Sequence, residues 1–347
     1  MHEIIDAYKK KRTKHYWIGA CMVGATLLLA VVLINLGTAK IGIGDVVRIL
    51  FSKLSGSALP DTIQPGIAAI VWDIRLPRML TGIFVGAGLS VAGTVFQSLL
   101  MNPLADPYTI GVSTGAAFGA SLAILLNILL ATMLPVVPFA FASALVTLLL
   151  VVAIAQRSGM MTSSNLVVAG IIVSSIMSAG ISFIKMAAGE EVAAIVHWLM
   201  GSLSATQWSD FAVIGPVAVL AGAVCMRFAP DLNILSLGEE NAVALGVNVR
   251  KMRRLFLVCA SLITAACVSV SGVIGFVGLV IPHILRIAFT PDNRVLLPLS
   301  ALLGGLVLCL ADNTTRILFR SEIPVGILTT LIGGPFFIYL FMKRRQL

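Results

Sequence analysis

The side chains that could carry out ionic or acid–base chemistry are concentrated in one polar segment, SLGEENAVALGVNVRKMRR, at 236–254. Two acids, Glu239 and Glu240, come first, and four bases follow Gly246. Apolar residues spaced along 233–245 predict a short helix that stops at this glycine, before a basic run leads into the next apolar stretch. The segment, which we place within a loop at 230–254, is either a docking surface or a solvated connector.

Residues suited to catalysis are sparse in the rest of the chain. The sequence has four histidines and no match to the G-x-x-x-x-G-K-[ST], H-E-x-x-H or G-x-S-x-G patterns of nucleotide-binding proteins, zinc hydrolases and serine hydrolases. All five cysteines lie in apolar runs, and none has the C-x-x-C spacing of a metal or redox site. We therefore expect no catalytic residue, no metal site and no cofactor bound by this chain.

The composition is that of a protein surrounded by lipid. Of its 347 residues, 59% are hydrophobic and only 11% are charged, whereas soluble domains carry roughly 25% charged residues. The net charge of +9 could suggest nucleic acid, but the bases lie between apolar runs and form no basic face with interleaved aromatic residues. We therefore expect contact with membrane lipid and not with nucleic acid.

The apolar runs predict an all-α polytopic membrane protein with about ten transmembrane helices. The first run follows a basic N-terminal tail, 1–15, and its length of about twenty residues favours an uncleaved span over a signal peptide. The predicted spans are 17–36, 79–101, 108–130, 136–156, 165–186, 209–229, 255–271, 274–289, 295–314 and 323–342.

The distribution of bases predicts the orientation of the spans. With ten spans, sixteen of the 24 Lys and Arg residues fall on the side that holds both termini and the 236–254 segment. Because short cytoplasmic loops are enriched in Lys and Arg, we expect both termini and this segment to be cytoplasmic.

Small residues recur at four-residue spacing, at Gly82 and Gly86 and again at Gly111, Gly115 and Gly119. Such faces allow helices to approach closely in lipid, and they also occur on moving or pore-lining helices. We favour close packing.

Ionisable residues are few within the predicted spans. Lys185, His283 and Arg286 lie near span ends, and we expect no carboxylate in a span interior. Ion-coupled transporters usually need one there, so we expect transport to be energised from outside the chain. An ion-coupled secondary transporter stays open as the alternative, because backbone carbonyls can also hold Na⁺ and the blocks 79–186 and 255–342 could form a repeat.

Six stretches together resemble a known family. They are RLPR (75–78), NPLADPYTIGVSTGA (102–116), SLGEENAVALGV (236–247), GFVGLVIPHILR (275–286), DNRVLLP (292–298) and IPVGILTTLIGGPFFIYL (323–340). Over nearly its whole length the chain resembles the permease subunits of bacterial ABC importers for iron–siderophores, haem and vitamin B12, the type II importers.

The resemblance implies a vitamin B12 importer permease-like fold, with one transmembrane permease domain over 1–347. It implies a homodimer with a central pathway in the bacterial cytoplasmic (inner) membrane. Two separate ATPase subunits would use ATP and Mg²⁺, and an extracytoplasmic substrate-binding protein would deliver the substrate. That substrate would be an iron chelate, most simply a siderophore complex, with haem and cobalamin as alternatives.

The resemblance also assigns residues. The segment that contacts the ATPase would include Ser236, Leu237, Gly238, Glu239, Glu240, Ala242, Leu245 and Gly246. Arginines that meet the binding protein at the outer face would be Arg75, Arg78 and Arg316. The pathway and its cytoplasmic gate would include Asn102, Pro103, Leu104, Thr162, Ser163, Ser174, Ser178 and Ser182. The serines have a second interpretation as helix–helix hydrogen-bonding groups.

Overall fold

A computed structural model of the chain describes residue 19 and residues 21–25, 41–60, 62–157, 162–318 and 323–344. Over these residues the regular secondary structure is entirely helical, which confirms the predicted all-α class. The predicted tail at 1–15 and most of the predicted first span at 17–36 lie outside the described residues.

The helices are numbered here in chain order over the described residues from 41 onwards. They are α1 (Ile43–Ser55), α2 (Pro65–Leu99), α3 (Val112–Leu130), α4 (Val136–Arg157), α5 (Ser163–Ala187), α6 (Val192–Leu199), α7 (Trp208–Arg227), α8 (Ala229–Leu235), α9 (Glu239–Ala244), α10 (Val249–Ser271), α11 (Val277–Ala288), α12 (Asn293–Leu318) and α13 (Val325–Arg344). A π-helical stretch, Ile70–Arg75, lies inside α2.

Seven of these helices are long and apolar enough to cross a membrane, namely α2 to α5, α7, α10 and α12. Two shorter apolar helices, α11 and α13, occupy the predicted eighth and tenth spans. The second predicted span starts earlier than expected, at Pro65 instead of residue 79. The turns before residue 79 carry polar residues but belong to the helix, because Ala68 and Val71 are buried in a small core shared with Val46 and Ile49 of α1.

The centre of the bundle is α2, which packs against α7, α10, α11 and α12. Its small residues allow backbones to touch: a Cβ at Gly86 would collide with the carbonyl of Gly304 on α12, and one at Gly93 with that of Gly278 on α11. Gly115 and Gly119 of α3 lie equally close to α4. Close packing, the favoured interpretation of these glycines, is therefore what the structure shows.

Candidate transport pathway and docking segments

The polar segment folds as two short helices and not as one helix over 233–245. Helix α8 ends at Leu235, and Gly238, with φ of 100°, precedes α9. Such a backbone is costly for residues other than glycine, so the chain breaks where glycine permits it. The predicted stop at Gly246 is confirmed by its φ of 82°.

The residues predicted to contact an ATPase divide between two faces. Ala242 is fully buried and anchors α9 to the bundle, whereas Leu237 and Leu245 are 59% and 60% exposed. Glu239 and Glu240 are exposed too. Exposed apolar side chains in a segment outside the spans are typical of an interaction site.

This surface is fastened to the bundle by an ion pair. The guanidinium of Arg253, at the start of α10, lies 3.3 Å from a carboxylate oxygen of Glu239. The arginine side chain is 9% exposed and the glutamate side chain 44% exposed. One face of α9 is therefore held firmly while the opposite face stays accessible.

The two predicted gate segments, 102–104 and 162–163, meet at the same end of the bundle. The hydroxyl of Ser163 donates to the carbonyl of Leu99, 3.2 Å away, which joins the start of α5 to the end of α2. Thr162 caps α5 by accepting the N–H of Asn165. Asn102 closes the adjoining turn, since its side-chain oxygen accepts the N–H of Leu104. Both Asn102 and Leu104 are exposed, and Pro103 between them is half-buried.

The predicted serine stripe of α5 is split by the fold. Ser174 is half-buried and packs beside Gly111. Ser178 and Ser182 lie on the exposed face, where the hydroxyl of Ser182 donates to the carbonyl of Ser178 at 3.0 Å. The exposed part of this helix therefore combines hydroxyl groups with large apolar side chains such as Phe183, which is 68% exposed.

A cavity of about 540 Å³ lies beside α13 and was not predicted. Its lining is largely apolar but includes Asp106, Tyr108 and Thr330. The Tyr108 hydroxyl donates to the carbonyl of Ile274 and so holds the loop after α2 against the loop before α11. In the sequence, Pro103 and Pro107 bracket Asp106 and indicate a turn there. They do not show that this turn lines a cavity.

A second cavity, of about 800 Å³, lies at the opposite end of the bundle from α8. Its polar lining includes His197, Gln207, Asp210 and Ser271. Close by, the indole N–H of Trp208 donates to the carbonyl of Trp72 at 3.0 Å. Paired tryptophans and a polar cavity suit a helix end that faces an aqueous compartment.

The three predicted docking arginines lie together at that end, in unequal settings. Arg75 and Arg78 are buried, with 5% and 7% exposure, while Arg316 is half-buried and donates to the side-chain oxygen of Asn313 at 2.6 Å. Arg75 is close enough to Arg316 for their like charges to interact. The docking role of these residues stays a prediction, and Arg316 is the most accessible of the three.

The expectation that no carboxylate lies in a span interior was wrong. Asp312, within the predicted span 295–314, is 5% exposed and accepts two hydrogen bonds from Arg78. The acid could have been found by inspecting the span for charge, but its partner is far away in the sequence. A buried carboxylate tolerates this position because the arginine neutralises it.

Comparison with known proteins agrees with this architecture. A model of the FecCD transport family matches residues 25–343. The cobalamin import system permease protein BtuC of Halobacterium salinarum is 45% identical over 286 residues, covering 82% of this chain and 76% of that protein. The hemin transport system permease protein HmuU of Yersinia pestis is 36% identical, covering 92% of this chain and 95% of that protein.

A solved structure shares the fold as well. A metal-chelate type ABC transporter in an inward-facing conformation superposes with a TM-score of 0.81 at 33% identity, covering 94% of this chain and 99% of that one. The family match spans most of the sequence, and the helices that it covers include all seven long apolar ones. The chain is thus an integral membrane permease that belongs to the FecCD transport family.

Proposed function

We propose that the chain is the permease subunit of an ATP-driven ABC importer that moves a metal chelate across the cytoplasmic membrane. The observation that carries this proposal is the surface formed by α8, the turn at 236–238 and α9. It protrudes from the spans, exposes Leu237 and Leu245, and is fastened to α10 through Arg253. A soluble subunit that binds here can push on the bundle without any catalytic residue in this chain.

The orientation follows from the bases. Three bases follow this surface in the chain, at the end of the bundle that holds the gate segments: Arg250, Lys251 and Arg254. Since cytoplasmic loops are rich in Lys and Arg, this end and both termini face the cytoplasm. The arginine cluster and the larger cavity then face outward, where a substrate-binding protein would dock.

The energy source in this proposal is ATP, bound with Mg²⁺ by two partner ATPase subunits. The ion-coupled alternative would need a titratable or cation-binding group inside the bundle. Among the described residues, Asp312 is a buried carboxylate of a long apolar helix, and Arg78 already neutralises it. This pairing disfavours the secondary transporter.

The pathway in this proposal runs between two copies of the chain. The exposed faces of α5 and α13 are apolar with interspersed hydroxyls; they include Ser178, Ser182 and the 69% exposed Leu331. Both faces are available for a second copy, and the cavity beside Thr330 would open onto the space between the copies. A smooth wall of this kind binds a passing substrate weakly, and the binding protein would supply the specificity.

The substrate class is a metal chelate. The family resemblance favours an iron–siderophore complex, with haem and cobalamin as alternatives. The relative that is 45% identical is a cobalamin import permease, so cobalamin is the first chelate to test. A relative named for hemin, at 36% identity, keeps haem as a second candidate.

The decisive experiment purifies the tagged chain in mild detergent, identifies its partners with their stoichiometry, and measures uptake of radiolabelled cyanocobalamin, haem and ferrichrome into liposomes. An ATPase in a two-plus-two complex with ATP-dependent uptake supports the proposal. A chain that purifies alone and follows an ion gradient without ATP would establish the alternative.

A matched pair of variants tests the docking surface itself. Leu237→Asp combined with Leu245→Asp should release the ATPase, because a charge replaces each exposed apolar contact. Leu54→Asp, at a 78% exposed position on α1, makes the same chemical change at the other end of the bundle. It should retain the ATPase.

A further inference from the structure

A series of hydrogen bonds connects the loop at 230–254, called the coupling segment below, to the end of α2. Asn233 of α8 donates through Nδ2 to Oδ1 of Asp292 at 2.7 Å, and its own Oδ1 accepts the backbone N–H of Asn293 at 2.8 Å. Both bonds reach the start of α12. Because each end of the Asn233 amide has a partner, α8 is fixed to α12 in position and in orientation.

The next bond continues from α12 to α2. The hydroxyl of Ser98 donates to Oδ1 of Asn293 at 3.1 Å, and these two residues are 2% and 1% exposed. Arg286, at the end of α11, reaches the same hydroxyl at 3.4 Å. Three helices that cross the bundle therefore converge on Ser98 at the end where α8 packs.

Ser98 adjoins both gate segments. The next residue, Leu99, accepts the hydroxyl of Ser163, and the preceding residue, Gln97, accepts the backbone N–H of Asn102 at 3.1 Å. A continuous set of short contacts thus runs from α8, through the start of α12, to both parts of the predicted gate.

Asp292 is held as a charged acceptor. Burial raises the pKa of its carboxyl, but hydrogen bonds from Arg294 and Asn233 together outweigh this, so the pKa lies below its ordinary value. The ion pair with Arg294, 2.7 Å from Oδ2, holds the same carboxylate whose Oδ1 accepts the bond from Asn233. The other fastening of the segment, between Glu239 and Arg253, leads into α10 and not toward the gate.

We propose that Asn233, Asp292, Asn293 and Ser98 are positioning residues through which movement of the coupling segment reaches the gate at 102–104 and 162–163. The inference rests on the proposed function, since the movement would originate in the ATPase. Buried hydrogen-bonded groups transmit displacement because separating them would leave polar atoms unpaired in a low-dielectric interior. The equilibrium between two gate positions would thereby be linked to the position of α8.

The test uses the full complex of this chain with its co-purified ATPase in liposomes. A spin label at Ser164→Cys, an exposed position in the first turn of α5, reports the distance between the two copies in a Cys21→Ser background. In the parent, ATP with Mg²⁺ should change this distance. In Asn233→Ala we expect the ATP-dependent change to be lost, while ATP hydrolysis stays within about twofold of the parent.

The matched control is Thr94→Ala. It removes a buried hydrogen bond of 3.1 Å to Ser300 between α2 and α12, the two helices that Ser98 and Asn293 also join, but it lies off the route. It should keep the ATP-dependent change in distance. Loss of the change in Thr94→Ala as well would show that any weakened contact of α12 abolishes it, and would overturn the specific route.

A rescue experiment distinguishes a loss of transmitted movement from misfolding of the variant. Asn233→Asp alone sets two carboxylates against each other, whereas the double variant Asn233→Asp with Asp292→Asn again pairs one amide with one carboxylate. The double variant should restore the change in distance. A full response in Asn233→Ala would overturn the route alone. A parent complex without an ATPase, or without any ATP-dependent change, would overturn the proposed function and the route with it.

Discussion

Arg78 and Asp312 are separated by 234 positions and form a bidentate ion pair, with Nε to Oδ2 at 2.9 Å and a terminal nitrogen to Oδ1 at 3.0 Å. Their side chains are 8% and 7% exposed. The pair ties an early turn of α2 to the last turns of α12. Each charge tolerates burial only while the other is present, so the contact fixes the relative height of the two helices.

Removal of one partner should be strongly destabilising. Asp312→Ala leaves a buried guanidinium without its carboxylate, and we expect a loss of about 3–5 kcal/mol in the free energy of unfolding. Thr94→Ala, which removes one neutral hydrogen bond between the same helices, should cost about 1 kcal/mol. Denaturant titration in detergent measures both. Replacing both charges, with Arg78→Met and Asp312→Leu, should recover most of the loss, and equal stability of Asp312→Ala and the parent would contradict the structural role.

Gly246 should be needed for coupling more than for folding. Its φ of 82° is strained for a β-branched residue, although no atom lies near enough to collide with a new side chain. We expect Gly246→Val to shift the end of α9 and to uncouple ATP hydrolysis from chelate uptake, with the unfolding temperature little changed. Gly56→Val introduces similar strain at φ of 70°, far from the coupling segment, and should transport normally. Normal uptake by Gly246→Val would remove this glycine from the coupling segment.

Arg316, the most accessible of the three predicted docking arginines, should give the clearest test of binding-protein association. Reversal of Arg78 would break its ion pair, so reduced binding could not be assigned to the outer surface. Arg316→Glu should instead weaken association with the substrate-binding protein by about tenfold at low salt, and by less as salt rises. Surface plasmon resonance at two ionic strengths measures this. Arg48→Glu changes an exposed base on α1 and should have a smaller effect. Equal losses would indicate a general electrostatic attraction and no specific contact at Arg316.

The stability of the loop after α2 should depend on pH through Asp106. Burial raises the pKa of its carboxyl, and hydrogen bonds from Thr109 and Tyr108 lower it by less. A raised carboxyl pKa means that the folded protein favours the protonated acid. Its contribution to stability is therefore present below the ordinary pKa of 3.8 and is lost as the pH rises through the raised value.

Asp106→Asn should accordingly unfold at a higher temperature than the parent at neutral pH, because the amide oxygen can still accept the same bonds without a buried charge. The gain should shrink as the pH is lowered toward 3.8. Unfolding temperatures across a pH series measure the difference. Asp45→Asn, at a half-buried acid on α1, is the control and should show no such gain. A constant gain for Asp106→Asn at every pH would exclude titration as its cause.

Much of the fold was predictable because a membrane helix can be identified from the hydrophobicity of its own residues. An apolar run long enough to cross the bilayer is visible in the sequence, so the predicted spans from 108 onwards lie close to the observed helices, whereas α2 begins at Pro65 instead of residue 79. The coupling segment was recognisable for the opposite reason, because it is polar and lies between two apolar runs. The turn at Gly246 followed from glycine alone, but the break at Gly238 did not, since the apolar spacing continues through it.

The sequence by itself therefore determined the class of the protein, the order of its spans and the segments exposed to water, because these depend on hydrophobicity along a few neighbouring residues. Only the tertiary structure decided that Arg78 meets Asp312, that Asn233 reaches Asp292, and that Ser163 closes on Leu99. Such pairs join side chains from helices far apart in the chain. Which side chains meet is set by how closely small residues such as Gly86 and Gly304 allow those helices to pack.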